Sequence, residues 1–245
     1  TLAYGAAPMT PSRLKEGIDA FGHVFVQFYG QTEVPNLITT FDKQEHKFAV
    51  EADNEERLSS AGTTCLMSRV KVVDIQTGEK LPPGEEGEIL ATGPYTMEQY
   101  FERPEKTTET ITDGWIHTGD VGKLDEDGYL YLLDRENDVI ITGGMNVYST
   151  EVEDAIDQHP DVSEVAVIGI PDEEWGEAVH AVVVPSPETE LTPEQIQSTC
   201  DEQLSDYKKP KSIEFVEEIP KTPYGKQDKV ALRDRHWEDE DREIA

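Results

Sequence analysis

Basic residues are scarce in this chain. Against 52 Asp and Glu stand only 21 Lys and Arg, a formal net charge of −31 over 245 residues. No basic stripe can offset such a field, which excludes nucleic acid as a partner and disfavours an anionic membrane surface. Concentrated counter-ions relieve self-repulsion on that scale, so a halophilic setting is expected. Cysteine is almost absent. Cys65 and Cys200 lie far apart, with neither metal-ligand spacing nor a disulfide framework, and read as small hydrophobes in a reducing compartment. Long apolar runs are missing too, so no membrane-spanning segment, signal peptide or transit peptide is expected, and the default location is the cytoplasm. Only 36% of residues are hydrophobic, yet they gather in short runs such as residues 24–28, 70–73 and 162–170, which marks a folded chain rather than a disordered acidic one.

The patterning predicts the end of an α/β layer with a small β-barrel subdomain, followed by a separate α+β domain. Residues 11–20 have helical character, with Ser12 a candidate N-cap and Gly22 just past the end. Residues 24–28 form a short strand that delivers Tyr29 and Gly30 at its carboxyl end, where ligands gather in open α/β sheets. From residue 41 to 134 short strands alternate with turns, at 70–74, 87–92, 114–117 and 129–133, and one helix over 97–111 interrupts them. Beyond Arg135 the expected elements are a strand at 139–141, a helix at 148–158 capped by Ser149 or Thr150, paired strands at 162–170 and 178–185, a helix at 192–204 and a last strand at 212–216. The expected domains are residues 1–136 and 137–235, with an acidic tail at 236–245.

Three segments hold the chemistry. Tyr29-Gly30-Gln31-Thr32-Glu33 sets an aromatic ring, a glycine, a hydroxyl and a carboxylate at a strand end. That repertoire suits stacking on a purine, close backbone approach, phosphate contact and Mg²⁺ ligation, although an isolated pattern of this kind is more simply a strand-to-loop turn. Gly114-Trp115-Ile116-His117-Thr118-Gly119-Asp120 ends in a carboxylate on a glycine-flanked turn, suited to a two-point contact with ribose hydroxyls. His117 reads as a structural histidine rather than a base. Pro220-Lys221-Thr222-Pro223-Tyr224-Gly225-Lys226 places a lysine on a Pro/Gly-bounded loop, by default a solvated charge.

In this order, with Asp134-Arg135 and Gly143-Gly144 between them, the segments resemble one family, the adenylate-forming acyl-CoA synthetases, over nearly the whole chain. The resemblance implies that Tyr29 stacks on adenine beside Gly30, that Thr32 binds the α-phosphate and that Glu33 holds Mg²⁺. Gly5-Ala6-Ala7-Pro8 is similar to the small-residue turn beside adenine and the acyl group. Asp120 and Arg135 would contact ribose, and Asn137 takes the hinge place where Asp or Lys is usual. Gly143-Gly144 resembles the loop lining the pantetheine channel of CoA, and Lys226 the lysine that bridges substrate carboxylate and α-phosphate. Gln31 is the form common among acyl-CoA ligases. Ser149 departs from a common proline, which is expected to loosen the helix start, and Lys229 stands where an arginine is frequent. Lys208 and Lys209 read as surface charges.

The implied activity converts a small-molecule carboxylic acid and ATP to an acyl-adenylate, then to acyl-CoA and AMP, with a medium- or long-chain fatty acid the modal substrate. The family's Ser/Thr/Gly-rich phosphate loop has no counterpart here. The chain is therefore expected to be the carboxyl-terminal portion of such an enzyme, lacking its amino-terminal half, with no ATP turnover alone. Two alternatives stand beside this reading: a carrier-protein-loading adenylation module, disfavoured by Gln31, and a non-catalytic nucleotide-binding fragment.

Overall fold

A computed structural model describes residues 1–6, 9–34, 37–223 and 225–237, and divides the chain into two units that meet between Leu133 and Asp134. In the first, β1 (Leu2–Gly5) and β2 (Phe25–Tyr29) pair in parallel. A parallel pair needs a crossover, and α1 (Pro11–Phe21) supplies it. Pro11 opens α1 at a position whose N–H would be unpaired anyway, so Thr10 takes the N-cap place and Ser12 lies inside the helix. Gly22, at φ +77°, ends it by donating to the Ile18 carbonyl. Leu14 and Ile18 face inward onto Phe25, Phe41 and Leu58.

Strand β3 (Thr39–Phe41) pairs antiparallel with β2. Two helices, α2 (Lys43–Glu51) and α3 (Glu55–Leu58), occupy a stretch that the sequence pattern assigned to strands and turns. The cause is a capping box: Asp42 accepts from the Gln44 and Glu45 N–H groups while Glu45 reaches back to the Asp42 N–H at 2.6 Å. Strand β4 (Thr63–Thr64) completes this four-stranded sheet.

A five-stranded sheet follows, made of β5 (Arg69–Val73), β6 (Gly87–Thr92), β7 (Ile111–Thr112), β8 (Trp115–Leu124) and β9 (Leu130–Arg135). Its order is β5-β6-β8-β7, with β9 on β8. The helix expected over 97–111 is shorter: α4 spans Pro104–Thr110, because Pro104 can open a helix but not sit within one. Ile89, Ala91 and Ile116 of this sheet share one core with Tyr29, Val34 and Ile38, so the end of β2 packs against β6 and β8.

The second unit starts at Asp134, in the last two residues of β9, and continues with a 3₁₀ turn at Glu136–Asp138 and a hairpin of β10 (Ile140–Thr142) and β11 (Met145–Val147). Then come α5 (Ser149–Asp157), β12 (Val162–Asp172), β13 (Gly176–Pro185), α6 (Pro193–Asp201), β14 (Ser212–Phe215) and α7 (Lys229–Asp234). Strand β13 is central: β12 runs antiparallel to it and β14 parallel. Successive residues of β13 feed opposite cores. Val179, Ala181 and Val183 pack with Val152 and Ile156 of α5 and Ile196 of α6, whereas Val182 packs with Leu232 of α7 and Ile219. Helix α7 was not anticipated from sequence. Most of the acidic tail, residues 238–245, lies outside the described residues. Among the described residues no helix is long and apolar enough to cross a membrane.

Candidate active site

The first unit builds a buried carboxylate from a strand irregularity. Glu88 of β6 stands opposite Val121 and Leu90 opposite His117, so Ile89 faces the three residues Thr118, Gly119 and Asp120. Gly119 takes φ +65° with open space around it, so backbone conformation rather than crowding demands glycine there. Thr118 closes the irregularity, its hydroxyl donating to the Ile89 carbonyl at 2.6 Å and accepting from the Asp120 N–H at 3.1 Å. Asp120 is 7% exposed, and its Oδ2 accepts from Tyr29 Oη at 2.6 Å and Gln31 Nε2 at 3.0 Å. Gln31 also donates to the Thr118 carbonyl at 2.7 Å.

Tyr29 and Asp120, 91 residues apart, thus meet directly. The tyrosine ring lies in the core and its hydroxyl orients the carboxylate. Gln31, read from sequence only as a marker of subclass, is the second fixing donor. Its signal was the need of a buried carboxylate for more than one donor.

Glu33 is held in turn by Tyr100, whose hydroxyl donates to Oε1 at 2.6 Å, and by the Met97 N–H, which bonds the Glu33 carbonyl at 2.8 Å. Partial burial, then the nearby Glu33 carboxylate, raises the Tyr100 hydroxyl above its ordinary value and keeps it a donor. No sequence signal pointed to Tyr100. Thr32 is exposed, and Gly30 and Glu33 are half-buried. A surface hydroxyl beside an anchored carboxylate is a hard oxygen set that fits Mg²⁺. Gly5 and Ala6 are exposed at the end of β1. A side chain at Gly5 would meet the Phe28 carbonyl oxygen at 2.2 Å, so strand packing itself requires glycine. Ala7 and Pro8 lie outside the described residues. His117 Nδ1 lies 2.7 Å from Glu88 Oε2.

The second unit carries the remaining candidates. Lys226 is exposed on a tight loop. The Thr222 N–H bonds the Lys226 carbonyl at 2.7 Å, and the Lys226 N–H bonds Thr222 Oγ1 at 3.2 Å. Gln227 pins the loop to β12 through Glu164 and the Val165 carbonyl, both at 2.9 Å, and Lys221 pairs with Glu164. Tyr224 lies outside the described residues. Gly143 and Gly144, at φ +59° and +77°, are the two central residues of the β10–β11 hairpin, with Thr142 opposite Met145. Positive φ at both places is the type I′ requirement. Arg135 and Asn137 are exposed around the 3₁₀ turn.

Ser149 corrects its expectation. It is fully buried, and both its N–H and its hydroxyl donate to Asp134 Oδ2, at 2.5 and 2.8 Å. The helix start is anchored, not loosened. Lys229 Nζ donates to Ser149 Oγ at 2.7 Å and pairs with Glu153 Oε1 at 2.6 Å, so it serves the fold of this unit. Burial pushes the Glu153 carboxyl up to about 7 despite Lys229, and raises Asp134 as well. Lys208 pairs with Glu151, and Lys209 with Asp201 and Asp206.

Residues 1–101 match the model of the AMP-binding enzyme family, and residues 151–226 that of the AMP-binding enzyme C-terminal domain. The chain is 42% identical to the medium/long-chain-fatty-acid–CoA ligase FadD8 of Mycobacterium tuberculosis, over 97% of this chain and 42% of that relative. It is 39% identical to the fatty acid–[acyl-carrier-protein] ligase ScoC of Streptomyces coeruleorubidus, over 98% of this chain and 45% of ScoC. Its fold matches that of the amide bond synthetase McbA from Marinactinospora thermotolerans with a TM-score of 0.83 and 39% identity, covering 94% of this chain and 45% of McbA. The chain therefore spans less than half the length of each of these relatives. The ordered motifs, the two family matches and these likenesses agree: the chain belongs to the adenylate-forming AMP-binding enzymes.

Proposed function

We propose that the protein to which these residues belong is an ATP-dependent acid–thiol ligase acting on a medium- or long-chain fatty acid. The observation that carries this reading is the Asp120 carboxylate, fixed by Tyr29 and Gln31 in the same unit that presents Thr32 and Glu33. Asp120 and Arg135 bind ribose. Gly5, Ala6, Ala7 and Gly30 allow close approach at adenine. Tyr29 holds Asp120 in addition to the adenine contact. Thr32 contacts the α-phosphate, and Glu33 would hold Mg²⁺, which screens phosphate charge when bound.

In the first step a carboxylate oxygen of the acid bonds to the α-phosphorus. The bond from that phosphorus to the bridging oxygen breaks, and pyrophosphate leaves with the electron pair. The Lys226 ammonium neutralises charge that gathers on the α-phosphate oxygens. In the second step the CoA thiolate sulfur bonds to the acyl carbon, the acyl–phosphate C–O bond breaks, and AMP departs. Gly143 and Gly144 leave bare backbone for the pantetheine arm, and Asn137 is the pivot between the two steps.

Calorimetry of this chain with AMP tests the nucleotide site. Binding that weakens at least about tenfold in Asp120→Asn is expected, from loss of a charged hydrogen-bond acceptor; absence of AMP binding refutes the assignment. In the protein carrying these residues, Lys226→Ala is expected to lower fatty-acid-dependent ATP–pyrophosphate exchange by about a hundredfold or more. A second reading rests on ScoC, whose acyl acceptor is a carrier protein by name. Radiolabelled acyl transfer offered both acceptors separates the two: label on CoA supports the ligase proposed, and label on carrier protein alone replaces it.

A further inference from the structure

The strongest unassigned cluster lies on the face of the second unit's sheet that α7 covers. His180 of β13 is 5% exposed, and its Nδ1 lies 2.7 Å from Ser212 Oγ. Its Nε2 is buried with no hydrogen-bond partner among the described residues. A buried polar atom left in that state calls for an explanation, and an ion is one. In the parallel β13–β14 pair His180 stands opposite Ser212 and Val182 opposite Glu214. His180, Ser212 and Glu214 therefore share a face. Glu214 Oε2 lies 3.6 Å from His180 Nε2, and just beyond α7 the His236 ring sits with its centroid 5.0 Å from that of His180. One ligand atom from each of His180, Glu214 and His236 falls within 4.8 Å of the others.

We propose that His180 Nε2, a Glu214 carboxylate oxygen and one ring nitrogen of His236 bind a divalent transition-metal ion, Zn²⁺ by donor type, with a fourth position open to water. Two imidazoles and one carboxylate form a borderline-soft set, unlike the all-oxygen shells of Mg²⁺ and Ca²⁺. Zinc bonds of about 2.0–2.1 Å to nitrogen and oxygen set tetrahedral ligand atoms roughly 3.4 Å apart. The His180–Glu214 separation is already near that spacing, and His236, exposed on one side, closes the rest by turning its ring. Ser212 supplies the outer contact that fixes the ring of a ligating histidine and leaves the opposite nitrogen's lone pair for the ion. The bound ion fastens the end of α7 to β13 and β14.

The test titrates the 245-residue chain with Co²⁺, then displaces it with Zn²⁺, in excess Mg²⁺ that saturates weak carboxylate sites on so acidic a protein. One equivalent with an intense visible d–d band, displaced by Zn²⁺, is expected. Glu214→Gln and His236→Ala, both at solvent-accessible side chains, should each weaken binding at least about tenfold and alter the band. The surface variants His23→Ala and His159→Ala should leave it unchanged. Absence of such an equivalent, or one that persists unaltered in Glu214→Gln and His236→Ala, overturns the site.

Discussion

Replacing Lys229 with methionine keeps the length of the side chain and removes its charge. In the folded protein the ammonium lies 2.6 Å from Glu153 and 2.7 Å from the Ser149 hydroxyl, with 12% and 17% of the Lys229 and Glu153 side chains exposed. Glu153 sits in this environment with a carboxyl raised from an ordinary 4.5 to about 7. The folded state therefore holds that proton more tightly than the unfolded chain. The associated stability is fully present below pH 4.5 and is lost as pH rises to about 7. In Lys229→Met the same carboxyl loses the cation paired with it and moves higher still, as does the raised Asp134.

The consequence is a cost that depends on pH in a definite direction. At pH 6 Glu153 is mostly protonated with or without Lys229, and its share of the loss is confined to hydrogen bonds, about 1–2 kcal/mol. Above pH 7 the native protein ionises Glu153 beside its partner, whereas the variant cannot. The gap then widens by at most about 1.4 kcal/mol per pH unit, reaching roughly 3–5 kcal/mol by pH 9. That limit agrees with the cost of breaking a buried ion pair. Urea unfolding in a Trp115→Phe background, followed through Trp175 and Trp237 of the second unit, reads the difference. Adding Glu153→Gln to the variant should flatten the pH dependence. An equal loss at pH 6 and pH 9 would falsify the reasoning.

Two further outcomes follow from other parts of the molecule. Tyr29→Phe and Asp120→Asn should couple in a double-mutant cycle of thermal stability by about 1–2 kcal/mol, because their charged hydrogen bond is buried; additive losses refute it. The charge of −31 should make the unfolding midpoint rise by about 10 °C between roughly 0.1 and 2 M KCl, as self-repulsion worth about 3 kcal/mol is screened, and a flat salt profile removes the halophilic reading.

Much of this fold was legible because its cues are local. Apolar runs marked β2, β6, β12 and β13, and Gly22 marked the end of α1. Helix α2 carried an equally local cue in its capping box, but its thin apolar face hid it, with only His46 and Ala49 buried. What sequence order cannot display is partnership at a distance. Tyr100 reaches Glu33 across 67 positions, and Gln31 reaches Asp120 across 89.

Ser149 and Lys229 show why such distance matters. Eighty positions apart, they read as two separate departures from a family pattern, each a small weakening. In the fold they share one hydrogen bond of 2.7 Å. A proline at 149 would have no N–H for Asp134 and no hydroxyl for either neighbour, so the carboxylate would lose two donors and the ammonium one acceptor. The two substitutions are thus one feature: a serine that turns Asp134 and Lys229 toward a common oxygen and ties the starts of α5 and α7 together. Since Lys226 lies three residues before α7, the same tie sets where the loop that carries it emerges from this unit.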